Sequence, residues 1–282
     1  MWSEANSIPV AEARVRFAQY GVICGVANSA SLRQSLVFKG GNALDFVWQP
    51  NRSTVDLDFS FDPTIGSAGL DSERLTTALT RGLAAVAPNL GLVLAVHRVR
   101  QNPPGADKTF ITYEARIGYA MQDESRLRQR MAHGEPSPHV IRLDVSVNDP
   151  ICEAKSIAID ETNTLRIATI EDIVAEKLRA LLQQPIRNRE RRQDLLDIAI
   201  ILQGDRPLDR ERVSAFLLEK AAARNVPVSR AAFRDPEVKR RAGAGYGELE
   251  VTTRVAFIPF DVAHRSLLTF VEELDIPERL TL

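Results

Sequence analysis

The sequence predicts an α/β fold of the α+β kind, with a strand-rich first part over residues 1–165 and a helical second part over residues 166–282. Two patterns and the size of the chain carry this. Before residue 160 the runs STVDLDFSFD and VIRLDVSVND alternate apolar and polar residues strictly, with GLVLAVHRVRQ and KTFITYEARIGYA as further β-rich runs. From Thr169 the spacing becomes helical in TIEDIVAEKLRALLQQ, QDLLDIAIILQ, RERVSAFLLEKAAAR and HRSLLTFVEEL. With 282 residues, 44% of them hydrophobic, the chain can build one large core or two modest ones.

The elements follow in order. VAEARVRFAQY has helical spacing. SLVFKGG reads as a short buried strand ending in a glycine turn, and ALDFVW as one or two helical turns closed by QPN. In STVDLDFSFD, Val55, Leu57, Phe59 and Phe61 form a core-type face, while Asp56, Asp58, Ser60 and Asp62 form a polar one. Residues 71–87 read as a helix capped by Asp71 or Ser72. The next two β-rich runs are joined by the NPPGAD turn, and KSIAID adds a short strand after VIRLDVSVND. There is no internal repeat and no low-complexity segment, and the PNR, NPPG and EPSPH clusters read as loops within domains.

The formal net charge of −1 gives no general attraction to a polyanion. The distribution does: residues 176–241 hold sixteen Lys and Arg against ten Asp and Glu, a surplus of six positive charges. Cys24 and Cys152 lack metal-ligand spacing and are too few for a disulfide framework, which points to a reducing compartment. MWSEANSIPVAEAR lacks the pattern of a signal peptide, and the longest apolar stretch, LLDIAIIL, is short and carries Asp197. The expectation is a cytoplasmic protein with no membrane partner.

One constellation suggests chemistry. Asp56 and Asp58 share a strand face, where a pair of acids is by itself most often a wet surface. The apolar face behind them fixes which way they point. A Gly-Gly turn lies upstream at Gly40 and Gly41, opening a short helix whose N–H groups suit a phosphate. Asp144 sits mid-strand in VIRLDVSVND. Two acids from one strand and one from another make an oxygen cage for Mg²⁺ or Mn²⁺. In the helical part Lys177 falls inside an apolar arc, where it either snorkels to water or serves a partner or substrate. Asp194 and Asp197 lie in a segment apolar almost all round, and either touch substrate or pair with Lys177 or an arginine of RNRERR. His97, His133, His139 and His264 show no ligand spacing.

The stretches K-G-G-N-A-L, R-S-T-V-D-L-D-F, E-D-I-V-A-E-K-L-R-A-L and R-R-Q-D-L-L-D-I, in that order over roughly residues 35–202, resemble the AbiEii-type nucleotidyltransferase toxins, whose relatives include the MenT toxins. The resemblance implies a nucleotidyltransferase (polymerase-β-like) core. It also implies metal-dependent transfer of a nucleoside monophosphate from an NTP, toxicity to the producing cell, and a cognate antitoxin. In the MenT branch the acceptor is the 3′ end of tRNA. Carried onto this chain, Asp56 and Asp58 become metal ligands, Asp144 the third carboxylate, and Lys177 and Asp194 their catalytic partners on helices. Lys39, Gly40, Gly41, Arg52, Thr54, Lys177 and Asp197 become nucleotide contacts. Arg187, Arg189, Arg191 and Arg192 are the candidate RNA contacts in the basic segment. Two rivals stand beside this reading. A D-x-D phosphatase would follow the pair with a Gly-Thr-type turn, whereas Phe59-Ser60 continues the strand. A silent binding module of the same fold would lack an acid. On sequence alone, neutralising either Asp56 or Asp58 is expected to raise thermal stability in the absence of Mg²⁺, and removing the Lys177 charge to leave it unchanged or improved.

Overall fold

The computed structural model describes residues 9–48, 54–65, 69–105, 108–253 and 255–279. The chain forms two compact units, each assembled from separated segments. Unit one comprises residues 1–38, 55–148 and 155–167; unit two comprises 39–54, 149–154 and 168–282.

Unit one is built on a seven-stranded sheet whose strands are β1 (Leu36–Lys39), β2 (Leu57–Phe61), β3 (Val93–Asn102), β4 (Thr112–Ala120), β5 (Val140–Ser146), β6 (Ala154–Ala158) and β7 (Thr164–Ala168). Their order across the sheet is β3-β4-β5-β2-β1-β7-β6. β1 runs parallel to β7 and β2 parallel to β5, while β3, β4 and β5 form an antiparallel meander. The unit boundary passes through the ends of β1, β6 and β7, so Lys39, Ala154 and Ala168 count with unit two.

The core forms where the alternating strands turn their apolar residues inward. Phe38 and Phe59 stack at 4.9 Å between ring centroids, and Leu57, Ile117, Ile141, Leu143 and Val145 are fully or almost fully buried. Helices Val10–Asn28 and Ser72–Val86 belong to the same unit. The second is capped as its sequence predicts, Asp71 accepting from the Arg74 N–H at 2.8 Å. The two helices cross at glycine: a Cβ on Gly82 would stand 2.2 Å from the carbonyl oxygen of Gly25. The first helix runs past Gly21 and Gly25 to Asn28, beyond the VAEARVRFAQY stretch, and glycine at the crossing permits the close approach.

One expectation about this unit needs correcting. Val55 is 62% exposed, because the strand begins two residues later, at Leu57. Ser60 keeps the face that alternation gives it, two positions from Asp58, and is fully buried there. β7 and the helix Ser125–Ala132 are additional elements; β7 is five residues long and is paired by a distant strand, which no local pattern announces.

Unit two is helical: Ile170–Leu182, Gln184–Arg187, Arg192–Gln203, Arg210–Ala223, Arg230–Phe233, Pro236–Gly243 and Phe260–Glu272, with a 3₁₀ segment at Tyr246–Thr252. Thr169, Asp209, Ser229 and Asp235 cap four of these helices, each accepting a backbone N–H of the first turn. The short helix Gly40–Ala43, widening into a π-turn at Leu44–Trp48, also belongs here. Leu178, Leu181, Leu195, Leu196, Ile198, Leu217 and Phe233 form the core. Among the described residues no helix is long and apolar enough to cross a membrane.

Candidate active site

The predicted site residues divide between the units, and each group has its own geometry. In unit one, period-two alternation puts Asp58, Asp144, Glu114 and Arg100 on one sheet face, and strand register sets them in a single row. Asp58 pairs with Asp144 across β2 and β5, Glu114 with Asp144 across β4 and β5, and Arg100 with Glu114 across β3 and β4. The neighbouring row holds Arg98, Arg116 and Arg142, each opposite the next. Its end is closed by Asp56, whose two oxygens take the Arg142 guanidinium at 2.7 and 2.9 Å. The residues behind these rows, Leu57, Ala115, Leu143 and Val145, are fully buried. A one-residue slip would turn them to solvent, so the register of the charges is fixed by the core.

The two inner carboxylates of the first row differ. Glu114 is held below its ordinary range by its hydrogen bond from Arg100 at 2.8 Å, with Arg116 adding to the effect against a small cost of burial. Asp144 is pushed up to about 6, first by burial and then by the charges of Asp56 and Glu114. Its Oδ1 is buried and has no hydrogen-bond partner among the described residues, and the same is true of the Ser60 hydroxyl on the next register position of β2. A carboxylate that is crowded by acids and short of donors is stabilised either by keeping its proton or by a cation. Asp58 and Asp144, one strand spacing of about 4.8 Å apart, offer the hard oxygen donors that suit Mg²⁺ or Mn²⁺. As the side chains stand, no group of three or more His, Cys, Asp or Glu among the described residues is arranged around an ion. The reason is visible: Arg142 occupies both oxygens of Asp56. Asp62, the third acid of the run, is drawn away to Arg166 at 2.7 Å and to Thr64.

Glu114 was not legible as a site neighbour, since it becomes one only through the pairing of β4 with β5. The histidines serve local structure: His97 Nε2 accepts from the Ser137 N–H at 3.2 Å, and His139 faces Glu124 at 3.3 Å.

In unit two, the glycine turn needs its glycine. Gly40 has φ +75°, a conformation that L side chains rarely adopt. The turn is fastened on both sides. Asn42, fully buried, donates to the Thr54 carbonyl at 3.2 Å, and Lys39 Nζ lies 2.6 Å from Asp149. Asp149 also takes Arg224 at 2.6 Å; burial opposes its ionisation, but the two cations hold it well below the usual carboxylate range. Arg52 lies outside the described residues.

Lys177 donates to Asp194 at 2.8 Å and to Asp197 at 2.6 Å, so the helices Ile170–Leu182 and Arg192–Gln203 share one buried ion cluster. Asp197 has no exposed surface and Asp194 retains 14%. A parallel cluster joins Asp172 to Lys220 at 3.0 Å, with the Cys152 N–H donating to Asp172 at 2.7 Å and Lys220 donating to the Pro150 carbonyl at 2.6 Å. Asp149, Asp172, Lys220 and Arg224 carry no sequence signal of this role, apart from the capping position of Asp172 after Thr169. Of the basic run, Arg192 is committed to the Gly245 carbonyl and to Glu248, both at 2.8 Å, and Arg191 stands 3.9 Å from Asp194. Arg187 and Arg189 are exposed.

A mixed sheet with carboxylates paired across parallel strands, accompanied by a helical unit, defines a class. The fold is that of the nucleotidyltransferases, shared with MenT4, a nucleotidyltransferase toxin from Mycobacterium tuberculosis H37Rv, at a TM-score of 0.55 and 17% identity over 94% of this chain and 86% of that one. JHP933 from Helicobacter pylori is also similar, at a TM-score of 0.47 and 16% identity over 89% and 88% of the two chains. The family model described as nucleotidyl transferase AbiEii toxin, type IV toxin–antitoxin system, matches residues 24–263, and the chain belongs to that family. No curated protein matches the chain.

Proposed function

We propose that this protein transfers a nucleoside monophosphate from an NTP to the 3′-hydroxyl of an RNA, with the 3′ end of tRNA as acceptor, and that it does so in the cytoplasm under the control of an antitoxin. The observation that carries the reading is the in-register pair Asp58 and Asp144, with its crowded charge and the unpartnered Asp144 oxygen. Family membership supports the toxin role and the restraining partner.

In this mechanism Asp58 and Asp144 would hold Mg²⁺ or Mn²⁺, with Asp56 available to them if released from Arg142. The ion supplies Lewis-acid stabilisation of the charge that develops on the phosphoryl oxygens. Arg142, once freed, is a guanidinium placed to meet phosphate oxygens. Asp144, beside the ion, would help orient and activate the acceptor hydroxyl, whose proton passes to solvent as that oxygen attacks the α-phosphorus. The bond from the α-phosphorus to the bridging oxygen of the β-phosphate breaks, and pyrophosphate leaves. In unit two, Lys177 holds Asp194 and Asp197 in place; Asp194 is the member with surface left for a nucleotide, and Asp197 positions the lysine from within the core. Lys39 is assigned the same kind of task, holding the turn at Gly40 and Gly41 through Asp149. Arg187 and Arg189 remain available to RNA phosphates.

The test is incubation with each labelled NTP, Mg²⁺ and total RNA, followed by separation of the RNA. Label should enter RNA with wild-type protein, and Asp58→Asn should reduce it by about a hundredfold or more with the fold intact. Equal incorporation by the variant would refute the assignment of Asp58.

A further inference from the structure

The charged face of β3, β4, β5 and β2 changes sign strand by strand. β3 presents Arg98 and Arg100 and no acid; β2 and its entry present Asp56 and Asp58 and no base; β4 and β5 carry one of each in the same two rows. The basic end is also the less satisfied one. Arg98 and Arg116 stand directly opposite each other, a like-charge pair that opposes sheet formation. Arg98 is exposed and makes no ion pair among the described residues. Arg116, 42% exposed, reaches Glu114 only at 3.4 Å, and that carboxylate is already held by Arg100 at 2.8 Å. Two guanidinium groups left side by side on a solvent-facing sheet call for an anion that spans them.

We propose that Arg98 and Arg116 form a track for consecutive phosphates of single-stranded RNA, leading the acceptor strand across the sheet toward the acids at β2. The proposal rests on the transferase reading for its direction, since it is the acids that place the 3′ end. From β2 to β3 is three strand spacings, about 14 Å. A triphosphate gathered at the acids ends short of the edge strand, whereas a chain of phosphates continues to it. Guanidinium groups on an open sheet also stack on unpaired bases, which suits a single strand over a duplex.

The experiment compares wild type with the double variant Arg98→Gln and Arg116→Gln, measuring affinity for a short single-stranded RNA of mixed sequence over a range of salt concentrations. Loss of two phosphate contacts should weaken binding about tenfold at low salt and flatten the slope of log affinity against log salt by about 1.4. The paired changes Arg98→Lys and Arg116→Lys keep the charge and should restore most of the slope. The melting temperature of the Gln variant should be equal to or above wild type, because a like-charge pair has been removed. Unchanged affinity and slope in the Gln variant overturn the track, whatever the transfer assay shows. RNA binding that loses its slope in the Gln variant, from a wild type that transfers no nucleotide, keeps the track and overturns the transferase reading instead.

Discussion

Asp144 in unit one and Asp197 in unit two are the same group in opposite company. Asp144 lies half-buried among Asp56, Asp58 and Glu114, is pushed up to about 6, and leaves one oxygen without a partner among the described residues. Asp197 is wholly buried and lies 2.6 Å from the Lys177 ammonium. Burial is greater in unit two, yet the need for an outside cation is greater in unit one. Matched charges hold architecture together; mismatched charges mark where a ligand belongs.

The comparison can be broken most forcefully at Lys177. Lys177→Met strands two aspartates, one of them in the core, and should lower stability by about 3–5 kcal/mol in urea melts. This reverses the sequence-based expectation of unchanged or improved stability, which followed from treating the lysine as alone. A loss below about 1 kcal/mol would show that the cluster is not what orders these helices.

Asp149→Asn probes the other buried hub. It removes the charge that Lys39 and Arg224 share, and about 2–3 kcal/mol should be lost at neutral pH. The folded-state value lies below the unfolded one, so the wild-type contribution is fully present above about pH 4 and is lost as the pH falls through the depressed value. The difference between variant and wild type should therefore shrink in acid.

Asp144→Asn should act with the opposite sign and least strongly. The folded value is raised, so the native state keeps a proton that the unfolded chain gives up near pH 4. The cost of ionised Asp144 is absent below about pH 4, builds up to about pH 6 and is complete above it. The variant should match wild type in acid and exceed it slightly at pH 7.5, by about 0.5 kcal/mol once solvent screening is counted. Mn²⁺ should stabilise wild type at pH 7.5 and not the variant. A destabilised variant at that pH would remove the contrast with unit two. Asp56→Asn, expected from the sequence to raise stability, should not, because Arg142 already neutralises that carboxylate.

What could be read from the sequence was what local periodicity encodes. Alternation identified β2 and β5 and placed Asp56, Asp58 and Asp144 on polar faces, and the helical wheel put Lys177 where a lysine needs a reason. The alternation ran one step too far at Val55, because it cannot tell where pairing starts. Register and long-range pairing were out of reach. That Asp58 faces Asp144, that Glu114 adjoins both, and that Lys39, Asp149 and Arg224 converge from three segments are facts of tertiary structure. That Asp194 and Asp197 both pair with Lys177 needed distances.

The anchor of the glycine turn has a consequence in time. Lys39 leaves the ribosome long before Asp149, and Asp149 long before Arg224. At ordinary rates of synthesis the gap between the first and last of these is on the order of ten to forty seconds. Through that interval the nascent chain carries the D-x-D strand but lacks the arginine that completes the clasp behind Gly40. No single cut of the polypeptide separates the units either, since residues 39–54 and 149–154 are lent to unit two from within the span of unit one. The two units thus have to be inherited, expressed and completed as one chain.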